Sequence, residues 1–295
     1  MENFRLKVFL SVAKNLSFTK ASNELFISQP AITQHIKELE LTYHLRLFER
    51  RGSKIILTNA GNILLYYSEK IFSLHRELDL ELGAFNQQSS GILRLGASTT
   101  IAQYVIPSVL SGFYQNFKKI KLSLQSGNTH VITQAVLKGE LDLGIVEGNL
   151  KLKELKYEHF ISDEVVVVAG SKLKCKSELT FSELIKQPFA FRERGSGTLE
   201  VIEFEFKKRK IKPTSLNIVM SLGSTESLKS FLIDSDCLSF MPLRAIKNEL
   251  FSGLLKVIKV KGFNVYRNFD FIYQQGSSLT GLRKQFIDYA KQQFL

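Results

Sequence analysis

Tryptophan is absent from these 295 residues, and cysteine, methionine and proline number only two, three and five. Cys175 and Cys237 stand far apart, with no CxxC or Cys/His spacing. That leaves no basis for a structural metal or a disulfide framework; both read as small buried residues, with a redox switch through the two as the alternative. No apolar run approaches the ~20 residues of a membrane span. The opening stretch, MENFRLKVFLSVAKN, lacks the long apolar region and cleavage site of a signal peptide, so a cytoplasmic protein without membrane contact is expected. Catalytic signatures are missing too: there is no GxSxG elbow, P-loop, HExxH or dinucleotide fingerprint. His35, His44, His75, His130 and His159 form no ligand spacing. No enzyme, catalytic residue, cofactor or metal is expected.

The chain is long enough for two or three domains, and its 44% hydrophobic content is ordinary for a globular protein. The net charge is +12, which favours anionic partners. Its distribution decides what it means. Residues 1–58 carry nine Lys/Arg against five Asp/Glu, and residues 59–90 two against four. Most of the excess therefore lies beyond residue 90, and any nucleic-acid assignment has to rest on motif rather than on charge. The run KKRKIK, 207–212, reads as a solvated helix end.

That motif is SFTKASNELFISQPAITQHIKEL, residues 17–39. Ser17 or Thr19 can cap a short helix, on which Ala21 and Leu25 share a face. Ser28 then caps a second helix, where Pro30 is tolerated in the first turn. Ile32, Ile36 and Leu39 make its core stripe. Pro30, Thr33, Gln34 and Lys37 fall on the opposite face, with Gln29 at its edge. A helix offering amides, a hydroxyl and a lysine after a tight helical turn suits a DNA major groove. The plainer reading is a helical corner in an all-α core. The flanking residues argue against it: Arg50 and Arg51, a turn at Gly52-Ser53, Lys54, then the strand-like Ile55-Ile56-Leu57. This is a small β-wing with cations and Ser53 at its tip, placed to reach phosphates or the minor groove.

Residues 9–61 resemble the winged helix–turn–helix of LysR-type transcriptional regulators, whose recurring pieces stand here as SFTKAS, SQPAITQHIKELE, LFER and LTNAG. One departure is His44, where the family usually has Gly. If that site needs positive φ, His tolerates it less well.

After Thr58, a good N-cap, residues 59–88 read as one long helix without proline. Leu64, Tyr67, Ile71, Leu74, Leu78 and Phe85 make a heptad seam. The seam predicts self-association, and the resemblance implies an antiparallel dimer, commonly assembled further into a tetramer. A two-fold dimer presents two recognition helices to two half-sites. Residues 86–91 read as a flexible polar hinge.

From Gly91 strands alternate with helices, which predicts parallel α/β sheets. This half resembles the family's effector-binding domain, a two-lobed fold similar to periplasmic binding proteins. The expected organisation is a winged helix–turn–helix over 1–58 and a linker helix and hinge over 59–90. The effector domain covers 91–295. Its first lobe spans about 91–163 and 266–295, its second about 164–265.

Ser98, Thr99 and Thr100 open a helix directly after a strand, and Asn128 and Thr129 open another. Arg194, Ser196 and Thr198 do so in the second lobe. Hydroxyls and exposed N–H groups at helix starts favour an anion, and ligands gather at strand C-terminal ends. Each of these starts taken singly is an ordinary structural cap. The stretches GASTTIAQY and GNTHVITQAVLKGELDLGIVEG most resemble the CysB-like branch, which implies a small oxyanion or small carboxylate. Glu147 would oppose an anion unless it is paired or turned away. Ser235-Asp236-Cys237 is a further departure, since the family commonly has glycines there.

The expected function is a sequence-specific, effector-responsive regulator. Its partners would be double-stranded promoter DNA, a small anionic effector and itself, with RNA polymerase a further candidate. The rival readings are a non-specific architectural DNA binder and a solute-binding module without a regulatory role.

Overall fold

The computed structural model describes residues 4–52, 54–83, 91–149, 151–212, 215–277 and 279–294. The chain folds as two compact units, Met1–Asp79 and Leu80–Leu295. Phe85 of the seam and the hinge at 86–90 lie outside the described residues, as does Ser53 of the wing.

In the first unit, helices α1 (Phe4–Asn15), α2 (Phe18–Leu25) and α3 (Gln29–Tyr43) pack around Val8, Phe9, Val12, Ala21, Ile32 and Ile36. Ser17 Oγ accepts from the Lys20 N–H and starts α2, and Ser28 Oγ accepts from the Ala31 N–H and starts α3. Strands β1 (Phe48–Arg51) and β2 (Lys54–Leu57) pair antiparallel as the wing. His44 ends α3 at φ 54°, so this site does require the left-handed region. The His44 N–H closes the helix onto the Glu40 and Leu41 carbonyls, and the turn keeps a glycine-like shape. None of Ser235, Asp236 and Cys237 adopts positive φ, so that loop has no need of glycine.

Helix α4 (Asn59–Gly83) begins where Thr58 Oγ1 accepts from the Gly61 N–H at 3.0 Å. Gly61 has no substitute here, because a Cβ would lie 2.2 Å from the Leu47 carbonyl oxygen. Phe72 and Ser68 are buried in the first unit. Tyr67, Ile71, Leu74 and Leu78 are exposed along another face, joined by Ile63 and Leu82. Leu64 differs from its predicted place in the seam and packs against the helix–turn–helix core instead.

The second unit is built on one ten-stranded sheet, ordered β4 (Ile120–Gly127), β3 (Gly91–Ser98), β5 (Leu143–Glu147), β12 (Val265–Gln274), β6 (Leu155–Gly170), β10 (Leu238–Pro242), β8 (Pro188–Arg192), β9 (Asn217–Leu222). Off this path, β11 (Leu255–Val260) pairs with β6, and β7 (Glu178–Leu179) pairs with β11. The predicted parallel pairing holds for β4–β3–β5 and for β10–β8–β9. The middle departs from it: β12 runs antiparallel to β5 and β6, and β10 and β11 run antiparallel to β6. β6 is 16 residues long and serves both halves of the sheet, pairing antiparallel with β12 over residues 155–165 and with β10 over 165–169. Two cores result. One gathers Leu93, Ile101, Phe113, Leu143, Phe269 and Phe286 under helices α5 (Thr99–Tyr104), α6 (Ile106–Asn116) and α12 (Gly281–Gln292). The other gathers Val167, Phe189, Val201, Phe206, Phe240 and Ile258 under α9 (Gly197–Lys208). The two halves touch through Arg192 and Thr99 and through Asn128 and Glu193.

Candidate functional site

The first unit presents a polar helix face beside a basic wing. Gln29, Pro30, Gln34 and Lys37 are exposed on α3, and Thr33 is half-buried. Thr33 Oγ1 donates to the Gln29 carbonyl at 3.0 Å, and Gln34 Nε2 donates to Glu38 at 3.0 Å. Glu38 is held from its other side by Arg5 at 2.8 Å. The Gln34 amide is therefore aligned along the helix, its carbonyl oxygen without a partner among the described residues. Between α3 and the wing runs an open groove of about 860 Å³, lined by Gln29, Thr33, Lys37, Arg46, Arg50 and Lys54. Arg50, Arg51 and Lys54 are all exposed. Arg46 is the groove cation that the sequence reading missed: it comes after the helix in a loop, where no periodicity marks it.

In the second unit, three neighbouring parallel strands, β4, β3 and β5, end side by side. Ser98 closes β3 and Glu147 closes β5. Asn128 comes directly after β4 and caps α7 (Thr129–Leu137), its Oδ1 accepting from the Val131 N–H at 3.0 Å. Ser98 and Thr100 are buried, and neither hydroxyl has a partner among the described residues. The facing half brings Arg192, at the end of β8. Its Nη1 donates to Thr99 Oγ1 at 3.2 Å and to Thr225 Oγ1 at 2.8 Å, while Nε and Nη2 grip the Glu193 carboxylate. Asn128 Nδ2 also donates to Glu193, at 3.3 Å. The His130 N–H donates to the Gly195 carbonyl at 3.2 Å.

The first turn of α9 lies against the end of β5. A Cβ on Gly197 would sit 2.4 Å from the Glu147 carbonyl oxygen and 2.5 Å from Thr129 Oγ1, so only glycine allows this approach. Thr129 Oγ1 donates to that same Glu147 carbonyl at 2.9 Å. Arg267, on β12, is fully enclosed. It donates to Glu147 Oε1 at 3.0 Å, to Thr198 Oγ1 at 2.7 Å and to Asp163 Oδ2 at 3.0 Å. Glu147 is thus paired, which answers the objection its charge raised. Beyond Thr99, the Tyr104 hydroxyl donates to Glu226. Burial and this bond both push the phenol above its usual range. Lys229 bridges Glu226 at 2.9 Å and Glu249 at 2.8 Å.

Ser98, Thr99, Thr100, Asn128, Thr129, Ser196 and Thr198 thus gather where the two halves meet. Arg194 makes none of these contacts: it is exposed and lines an adjoining hollow of about 180 Å³ with Phe191, Arg192, Leu199 and Ile202. The arginines that do converge are Arg192 and Arg267. The signal for Arg267 was available, as a lone cation inside the apolar alternation of β12.

The comparisons agree with this architecture. Residues 4–62 match the model of the bacterial regulatory helix-turn-helix protein, lysR family, and residues 86–295 that of the LysR substrate binding domain. The chain is 31% identical over 287 residues to the HTH-type transcriptional activator CmpR of Synechocystis sp., covering 97% of this chain and 93% of that one. A full-length OxyR variant from Pseudomonas aeruginosa shares the fold, with a TM-score of 0.71, 18% identity and coverage of 99% of this chain and 94% of that one. The CcmR regulatory domain of Synechocystis PCC6803, in complex with 2-PG, has a TM-score of 0.62 and 27% identity, covering 69% of this chain and 97% of that one. With both domains of the family present in order along almost its whole length, the chain belongs to the LysR family of DNA-binding transcriptional regulators.

Proposed function

We propose that residues 1–58 bind promoter DNA, that residues 59–90 pair two copies, and that residues 91–295 bind a small anionic effector between lobes of about 91–163 with 266–295 and 164–265. The observation that carries the effector site is the pair of buried hydroxyls, Ser98 Oγ and Thr100 Oγ1, without partners among the described residues at the mouth of converging parallel strands. A buried polar group without a partner costs stability, and an oxyanion or carboxylate would accept from both. The CcmR domain in complex with 2-PG supports the same class of ligand. Thr99, Asn128, Thr129, Ser196 and Thr198 complete the wall, and Arg194 flanks it.

An effector alters DNA binding only through different affinities for two arrangements of the protein. Here the halves already touch through Arg192–Thr99 and Asn128–Glu193, so a ligand would act by strengthening or replacing those bridges. This is regulation, not catalysis, in a cytoplasmic homodimer or tetramer. Among the described residues no helix is long and apolar enough to cross a membrane. Action on RNA polymerase is inferred from the class of protein and is assigned to no residue.

Thr100→Val keeps the shape and removes the hydroxyl, for a cost of about 1–3 kcal/mol in effector binding. The variant is expected to fold, assemble and bind operator DNA as before, yet to need roughly tenfold or more effector for the same response. Calorimetry with the effector, and operator binding with and without it, measure this. Unchanged effector affinity in both Thr100→Val and Ser98→Ala would place the effector elsewhere.

On DNA, the reading assigns base contacts to Gln29, Pro30, Thr33, Gln34 and Lys37, and phosphate contacts to Arg50, Arg51, Ser53 and Lys54. Gln34→Ala is expected to cost about 1–3 kcal/mol at the cognate site and little on random DNA. Arg51→Ala should weaken both alike and lower the salt slope by about one. Equal losses in Gln34→Ala on the two DNAs would make Gln34 a positioning residue only. An unchanged slope in Arg51→Ala would take the wing tip out of the interface.

A further inference from the structure

Resting on that reading of the cleft, we propose that the effector is a small acid that also carries a hydrogen-bond donor, a hydroxyl or an ammonium, directed at Glu147. The two unpartnered hydroxyls, of Ser98 and Thr100, have a counterpart of opposite character. Glu147 is buried, and its Oε2 also lacks a partner among the described residues, while its Oε1 is held by Arg267. Hydroxyls donate or accept, but a carboxylate only accepts. The Glu147 oxygen therefore demands a donor, which neither a plain oxyanion nor a simple carboxylate supplies.

The strand register places both demands at one end of the sheet. Ala97 of β3 lies opposite Ile145 of the parallel β5. One residue further along, Ser98 ends β3, and two residues further along, Glu147 ends β5. Thr99 and Thr100 open α5 directly after Ser98, so hydroxyls and carboxylate share that end of the sheet. Glu147 reaches toward the facing half, because the guanidinium that holds it also holds Thr198 on α9.

The neighbouring charges sort the two ends of the ligand. Arg267 is divided between Glu147 and Asp163, with Arg244 approaching only Asp163, at 3.5 Å. Thr129, the nearest hydroxyl on α7, is committed to the Glu147 carbonyl. An acid group placed against Glu147 would meet a carboxylate with its cation already shared. Turned the other way, the acid faces Ser98 and Thr100 with Arg192 behind Thr99, and the donor faces Glu147 Oε2. The Glu147 carboxylate thus acts as a specificity element that selects hydroxy or amino acids over their unsubstituted counterparts.

Propionate, lactate and alanine share a three-carbon acid skeleton and differ in the donor. Each would be titrated calorimetrically into the full-length protein at constant ionic strength. Lactate or alanine is expected to bind at least about tenfold more tightly than propionate, and whichever leads identifies the donor as hydroxyl or ammonium. In Glu147→Gln that advantage should fall below about threefold, and circular dichroism would check the fold. If that variant does not fold, the ranking in the natural protein decides. Propionate binding as tightly as both others, and weakened by Thr100→Val, would overturn the donor and leave the cleft reading standing. Propionate binding that Thr100→Val and Ser98→Ala leave unaffected would overturn both. Binding of none of the three would overturn the proposed ligand class.

Discussion

Ile71→Asp is expected to split the assembly while leaving each chain folded. Tyr67, Ile71, Leu74 and Leu78 keep a heptad along α4, and each is roughly half exposed or more, Leu74 reaching 65%. Their opposite neighbours, Ser68 and Phe72, are buried in the first unit. One face of α4 thus belongs to its own chain, and the other is an apolar strip that its own chain leaves exposed. Burying an isoleucine is worth roughly 1.5–3 kcal/mol, and a two-fold seam contains it twice. A buried, unpaired carboxylate adds its desolvation cost. Together these put the loss at about 4 kcal/mol or more, a rise of about a thousandfold in the dissociation constant. Sedimentation at low concentration is expected to show a smaller species with unchanged helix content. That species should bind operator DNA poorly, because one recognition helix then reaches one half-site. Persistence of the natural assembly would show that α4 is not the principal interface.

Arg267→Met should be the most damaging single change in the second unit. The guanidinium is fully enclosed between two carboxylates that are themselves 3% and 2% exposed at their side chains. Removing it leaves Glu147 and Asp163 buried together, with Arg244 the only other cation described beside them, at 3.5 Å from Asp163. Breaking such a pair costs about 3–5 kcal/mol. An exposed pair gives the contrast. Lys172 and Asp234 approach to 2.9 Å with side chains 78% and 73% exposed, and such pairs contribute about 0–1 kcal/mol. Lys172→Ala should therefore leave the urea midpoint nearly unchanged, while Arg267→Met shifts it substantially. The chain has nine tyrosines and no tryptophan, so near-ultraviolet circular dichroism of tyrosine is the suitable probe. Arg267→Lys should recover only part of the loss, because an ammonium lacks the planar fork that serves Glu147, Asp163 and Thr198 at once. A shift in Arg267→Met no larger than in Lys172→Ala would mean that the enclosed network contributes little to stability.

Local physics made the first unit legible. Helix periodicity identifies Ile32, Ile36 and Leu39 as core, and Ser17 and Ser28 have the chemistry of caps. All of these act over four residues or fewer, within reach of the sequence itself. The polar face of α3 is then known by elimination. Leu64 is the exception, since a heptad identifies apolar positions without naming the partner each one meets. Its periodicity points to the seam, but it finds its partner in its own helix–turn–helix.

In the second unit, strand and helix order determined the class, and short motifs after the strands pointed to Ser98, Thr100, Asn128 and Thr129. These residues stand at strand ends that any doubly wound sheet brings together. Only the tertiary structure decided the electrostatics. Arg192 and Thr99 are 93 positions apart, and Arg267 and Glu147 are 120 apart, so no local spacing couples them. The Arg267–Glu147 pairing depends on β12 returning antiparallel between β5 and β6, which alternation of strand and helix does not encode. Glu147 carries the lesson most clearly. Its sequence position marked it as an obstacle to an anion, while the fold gave one of its oxygens to Arg267 and left the other without a partner among the described residues.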